Sequence, residues 1–279
     1  MRYSIPIFLH ILLLTTIAST SYADEKPLRL TWEKNILQIH GDSIPGGVIE
    51  IWYLEAYCRP GSTDRDWHQT VIPHETVLIS SNDDGAQLQL KCNLEDGVEV
   101  VHTIKSSSDE VTFQVKAHNP TEKVSQAHWA QPCMRVGGFT GCDDPAEKYA
   151  YIQKSFVFLD GKLAMMPTTP WSTTARYIPG QVWAAPGVDR NDVNPRPLNT
   201  EIPSNGLIGC FSKDDSMILA MAWEPYQELF QGVIRCLHSD FRIGGLKPGE
   251  TKMIHGKVYL LPNDIEGLLK RYQKDFSNQ

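Results

Sequence analysis

Along most of this chain the apolar residues recur at every second position, the period of a strand with one face buried. Residues 28–47 read as two short strands around polar turns, the second of which leads into "GDSIPGG". The stretch "VIEIWYLEAYCR" alternates throughout. Trp52, Leu54, Ala56 and Cys58 fall on one face, which is expected in the core. Ile51, Tyr53, Glu55, Tyr57 and Arg59 fall on the other, which is expected to face a polar ligand or water. "AQLQLKCNL", "VEVVHTIKS" and "EVTFQVKAHN", joined by "EDG" and "SSSD", predict a three-stranded antiparallel meander. A further strand then leaves it toward "CMRVGGFTGC". Strands return in "GLIGCFS", "SMILAMAWE", "GVIRCLHSDFRI" and "TKMIHGKVYLL", with Pro248-Gly249 as a type II turn before the last. In "NDIEGLLKRYQKDF" the period changes. Ile265, Leu268, Leu269 and Tyr272 share a helical face, and Asn263 is the expected N-cap with Glu266 three residues on. Many strands and one short C-terminal helix predict an all-β chain of two packed antiparallel sheets.

Two segments do not alternate. Residues 1–23 carry one early arginine, an apolar run too short to span a bilayer and small residues before Asp24, the pattern of a cleaved signal peptide. The mature chain is therefore expected to be secreted or periplasmic, with no membrane association, as one β-sandwich domain over 24–279. A Pro- and Trp-rich stretch at about 160–205 reads as an ordered irregular excursion over one face, because Trp171, Tyr177 and Trp183 are uncommon in disordered sequence. The formal charge of −7 argues against a nucleic-acid partner. Six cysteines in an exported chain permit disulfides, and Cys133 with Cys142 closes the shortest loop.

Candidate chemistry sits on the strand faces and in one loop. In "CLHSDFRIGG" the period of two puts Leu237, Phe241 and Ile243 inward and Cys236, His238, Asp240 and Arg242 together on the other face. A proton carrier, a carboxylate and a guanidinium in one row suit a sugar-binding groove. Tyr53, Glu55, Tyr57 and Arg59 make a second such row. His128 beside Trp129, and the loop carrying Arg65, Trp67 and His74, are further candidates, whereas His102 shares its face with Val98, Val100 and Ile104 and reads as a core histidine. No HxH, HExxH or CxxC is present, so no cofactor or transition metal is expected. "DRNDVN", Asp189 to Asn194, has calcium-loop composition without the central Gly or the distal Glu.

The run from "AQLQLKCNL" through "AHNPTEKVSQAHWAQP", with the late "LKPGETKMIHGKVYLL", resembles the galactose mutarotase-like superfamily of aldose epimerases and of domains in polysaccharide lyases and glycosidases. Asn119, Thr121, His128 and Trp129 occupy places similar to that family's, although Ala127 precedes His128 and Gln131-Pro132 follows it. The resemblance implies a two-sheet supersandwich and an oligo- or polysaccharide partner, uronates included. For an epimerase, His128 and Glu228 are the candidate proton-transfer pair. For a lyase, Arg59 or Arg242 would neutralise a uronate while Tyr53 or His238 takes its proton. Substrate binding falls to Glu55, Arg59, Arg65, Trp67, His74, Trp183, Asp240 and Arg242. The competing expectation is a noncatalytic carbohydrate-binding or structural sandwich.

Overall fold

The structure, a computed structural model, describes residues 26–63, 65–144, 146, 149–169, 180–194, 198–231 and 235–276. The expected signal peptide, Trp171 and Tyr177 lie outside the described residues. In chain order the strands are β1 (Arg29–Glu33), β2 (Ile36–His40), β3 (Val48–Cys58), β4 (Val71–Ile72), β5 (His74–Ser81), β6 (Gln87–Leu94), β7 (Glu99–Ser106), β8 (Glu110–His118), β9 (Trp129–Arg135), β10 (Ser155–Leu159), β11 (Lys162–Met165), β12 (Val182–Ala184), β13 (Pro203–Phe211), β14 (Met217–Glu224), β15 (Tyr226–Gln231), β16 (Cys236–Arg242) and β17 (Thr251–Pro262). They form two antiparallel sheets. One runs β1-β2-β3-β9-β16-β15-β12 with β4 also on β3, and the other runs β11-β10-β13-β14-β17-β8-β7-β6-β5. This is the two-sheet antiparallel sandwich that the alternation implied.

The sheets bury one large core between them. Ile51, Tyr53, Met134, Leu237 and Phe241 from the first sheet meet Leu90, Val100, Phe113, Val115, Met221 and Trp223 from the second. The meander β6-β7-β8 forms as expected, and β9 crosses from its end into the opposite sheet. The C-terminal helix, α1 (Trp67–Thr70) and α2 (Gly137–Thr140) being single turns, is α3 (Ile265–Phe276). It covers the outer face of the second sheet, where Leu268 and Phe276 pack on Phe158, Ile218 and Tyr259. Its cap is Asp264 rather than Asn263: the Asp264 carboxylate accepts the Gly267 N–H at 2.9 Å, while the Asn263 side chain donates to the Asp215 carbonyl. At Gly249, φ of +71° and the Glu250 N–H to Lys247 carbonyl bond make the expected turn.

Several expectations need correcting. In the β3–β9 ladder, Trp52 faces Cys133 but Ala56 faces Gln131, so β3 bulges between them. The shift is two residues, so Ile51, Tyr53 and Tyr57 keep one face across it, and that face is the core rather than the ligand or water side: all three are buried, and the two tyrosine hydroxyls bond the ring nitrogens of His102 at 2.8 and 3.0 Å. Trp52 lies half-buried under Arg135, on the outer face. β15 went unrecognised in the sequence because Pro225 follows β14 directly and reads as a stop. Part of the supposed irregular excursion is regular: β11 and β12 lie within it. All six cysteines are free. Cys133 points from β9 toward Cys236, while the Cys142 thiol donates to the Thr140 carbonyl at 3.6 Å, so the two are not bonded.

Candidate functional site

β16 stands between β9 and β15, and its outward row lands as the alternation required. Leu237 and Phe241 face the core; Cys236, His238, Asp240 and Arg242 face away from it. On β15, Glu228 is opposite Asp240 and Phe230 is opposite His238. The polar row is thus widened into a patch. It is not an open groove, however. Glu228 and Asp240 are fully buried and His238 nearly so; the segment 189–194 covers Glu228, and the Phe230 ring stacks on His238. The backbone N–H of Asn194 reaches both oxygens of Glu228 at 3.0 Å, and the Gln227 amide donates to the Asp192 carbonyl.

Burial here sets the protonation states. Desolvation first, and then the neighbouring Asp240 carboxylate, push the Glu228 carboxyl well above the ordinary range despite the Asn194 N–H. Burial likewise pushes Asp240 up to about 6, against the pull of His238. For His238 burial disfavours the imidazolium, but the Cys236 sulfur and Asp240 outweigh it and raise the ring to about 10.

Where the row reaches the surface the chemistry becomes accessible. The Asp192 carboxylate lies 3.6 Å from His128 Nδ1 and 3.8 Å from Arg242 Nη1, and Arg242 also donates to the Gln227 side chain. His128 and Arg242 are both partly exposed. Between them runs the turn Gly244–Gly245, with φ of +73° and +72°. A Cβ on Gly245 would sit 3.2 Å from His128 Nε2, so only glycine leaves the imidazole edge uncovered there. On the other side of the turn an open cleft of about 480 Å³ is lined by Arg242, Gly244 and Lys252. Asn119 and Thr121 serve this turn indirectly: the Asn119 amide donates to the Lys123, Leu246 and Lys247 carbonyls, and its oxygen accepts from Thr121. A larger cleft of about 560 Å³ elsewhere is lined in part by Lys154, already bound to Asp215 at 2.7 Å.

The other expected site residues disperse. Tyr53 is a core residue. Arg59 donates to the Val71 carbonyl at 2.6 Å and to that of Gln69, which holds it on its own loop. His74 begins β5 with its ring against Tyr57, centroids 4.9 Å apart. Trp183 is wholly buried between the sheets, where it cannot wall a groove. Trp67 packs on Trp129 at 6.4 Å, and Arg65 lies beside Gly61, whose N–H donates to Asp192. Glu55 alone of its row is turned by the bulge toward the outer patch, where its charge bears on Cys133 and Asp240. In the supposed calcium loop, Asp189 caps the Asn191 N–H and Asp192 accepts the Gly61 N–H. Gln227 and Lys252 were missed, and Asp192 was marked only as part of "DRNDVN", not as the partner of His128 and Arg242. Gln227 becomes legible once 226–231 is read as a strand.

No protein-family profile matches the chain, and no curated protein matches it. Among solved structures it is similar to a candidate aldose 1-epimerase from Escherichia coli K12, at 12% identity and a TM-score of 0.43 over 84% of this chain and 98% of that one. It is also similar to a galactose mutarotase-like protein from Lactobacillus casei ATCC 334, at 8% identity and a TM-score of 0.43 over 84% and 99%. A third is the α-galactosidase AgaA from Geobacillus stearothermophilus bound to stachyose, at 10% identity and a TM-score of 0.41 over 89% of this chain and 42% of that one. These similarities concern the fold.

Proposed function

We propose that the protein is a carbohydrate-active protein of the epimerase kind, moving a proton at a sugar ring seated over the Gly244–Gly245 turn. The observation that carries this reading is the Asp192 carboxylate set between His128 and Arg242 beside an open cleft. At 3.6 Å the His128 contact is an electrostatic one rather than a hydrogen bond. It favours the proton on Nδ1 and leaves Nε2, which faces the bare Gly245, as the base. Glu228, kept neutral by burial, is the acid. To meet substrate it exchanges the Asn194 N–H for a sugar oxygen, while Asp192, held by the Gly61 N–H, stays on His128 and Arg242. Arg242 holds hydroxyls or the carboxylate of a uronate, while Lys252, which donates to the Ile243 and Gly245 carbonyls at 2.8 Å, fixes the turn beneath. The lyase reading is the weaker, since Tyr53 and Arg59 are committed elsewhere.

The test is anomer interconversion followed by NMR on a panel of aldoses and uronates, with product absorbance recorded in parallel on uronate polymers. Acceleration on at least one sugar, reduced ~10²-fold or more in His128→Ala, is the expected result. No acceleration and no unsaturated product on any substrate would refute the reading. A binding-only role is favoured by one observation, the complete burial of Glu228 and Asp240. It predicts sugar affinity unchanged in Glu228→Gln, measured by calorimetry. Export belongs to the same proposal: the mature chain begins at Asp24, and N-terminal sequencing that finds residue 1 retained overturns that part.

A further inference from the structure

Beside Glu228 and Asp240, but facing β9 instead of the 189–194 segment, lies a group of side chains that the proton-transfer reading does not use. Cys133, Cys236 and His238 are all buried, and their two sulfurs and one ring nitrogen lie within 4.8 Å of one another. Cys236 Sγ is 3.3 Å from His238 Nε2. The β9–β16 ladder explains the meeting. Leu237 is opposite Met134 and Phe241 opposite Ala130, with equal steps on both strands, so Cys133 comes opposite His238 on the outward face. Cys236 follows two residues along the same face.

We propose that Cys133, Cys236 and His238 bind a single thiophilic divalent cation, zinc, that ties β9 to β16. Two ligands of a tetrahedral zinc, with Zn–S near 2.3 Å and Zn–N near 2.0–2.1 Å, stand about 3.6 Å apart, near the 3.3 Å between Cys236 and His238 and inside the 4.8 Å that bounds the other two pairs. The imidazole is already oriented for the task. The Phe230 ring stacks on it at 3.8 Å with a 19° tilt, and the Asp240 carboxylate faces its Nδ1 at 3.4 Å. A carboxylate behind the non-ligating nitrogen is the usual support of a metal-bound histidine. Two thiolates balance the dication, and the ring gives up its Nε2 proton on ligation while keeping Nδ1–H toward Asp240. A Cys133–Cys236 disulfide fits less well. The two cysteines are diagonal rather than opposite, which sets their Cβ atoms about 7 Å apart where a disulfide needs about 4 Å.

The test uses the full-length protein as purified. Elemental analysis by mass spectrometry is expected to give one zinc per chain. After chelation, Co²⁺ added alone is expected to produce a thiolate-to-cobalt charge-transfer band. Cys133→Ser and Cys236→Ser each lose the metal and the band, whereas Cys142→Ser keeps both. Asp240→Asn retains the site but weakens it ~10- to 100-fold. Should the serine variants fail to fold, the wild-type protein decides, since its melting temperature should fall on chelation and recover with zinc. A wild-type chain without stoichiometric metal and without a cobalt band overturns the proposal, as does a Cys133–Cys236 disulfide in the peptide map.

Discussion

His102 lies between the sheets, fully buried, with Tyr53 on one ring nitrogen and Tyr57 on the other. No carboxylate compensates a charge there. Burial, with a smaller contribution from His74, depresses the imidazole from 6.5 to about 3. The unfolded chain takes up this proton at the ordinary value and the folded chain does not. Stability is therefore complete above pH 6.5 and falls as pH drops from there toward about 3. The slope approaches about 1.4 kcal/mol per pH unit, which amounts to about 2 kcal/mol lost between pH 7 and pH 5 from this residue alone. His102→Gln keeps polar atoms for the two tyrosines and cannot titrate. Urea denaturation at pH 7, 6 and 5 should show the wild type losing about 2 kcal/mol more than the variant across that range, other titrations cancelling between the two. Parallel stability curves for the two proteins would refute the argument, since they would mean that the folded state accepts the proton at no extra cost.

Two further substitutions test how the sheets are packed and how the glycine turn is held. Gly256 faces Trp223 across the β14–β17 ladder, and a Cβ there would lie 2.4 Å from the indole, itself held among Tyr53, Phe113 and Phe241. Gly256→Ala should cost about 1–3 kcal/mol in a denaturation experiment. Asn119 is buried with three carbonyls on its amide and Thr121 on its oxygen, so Asn119→Ala should cost about 3 kcal/mol. It should also loosen the turn beside His128, which hydrogen exchange at Gly244 and Gly245 would register as faster exchange.

Period-two alternation by itself determined β1–β3, the meander β6–β8, β9, β13, β14, β16 and β17, the all-β class and the inward or outward sense of His238, Asp240 and Arg242. It did so because side-chain direction along an unbroken strand is a local property of the backbone. The α3 face was legible for the same reason, at a different period. Tertiary structure decided the rest. Which face of β3 meets the second sheet is not announced by its own sequence: Tyr53 and Tyr57, read as a ligand-facing row, lie in the core on His102. Asp192 reaches His128 and Arg242 only because the 189–194 segment folds over the sheet, and Cys133 meets Cys236 across a ladder joining strands far apart in the chain. A face can be read one strand at a time, but a site is a relation between strands, and its geometry exists only once their register is set.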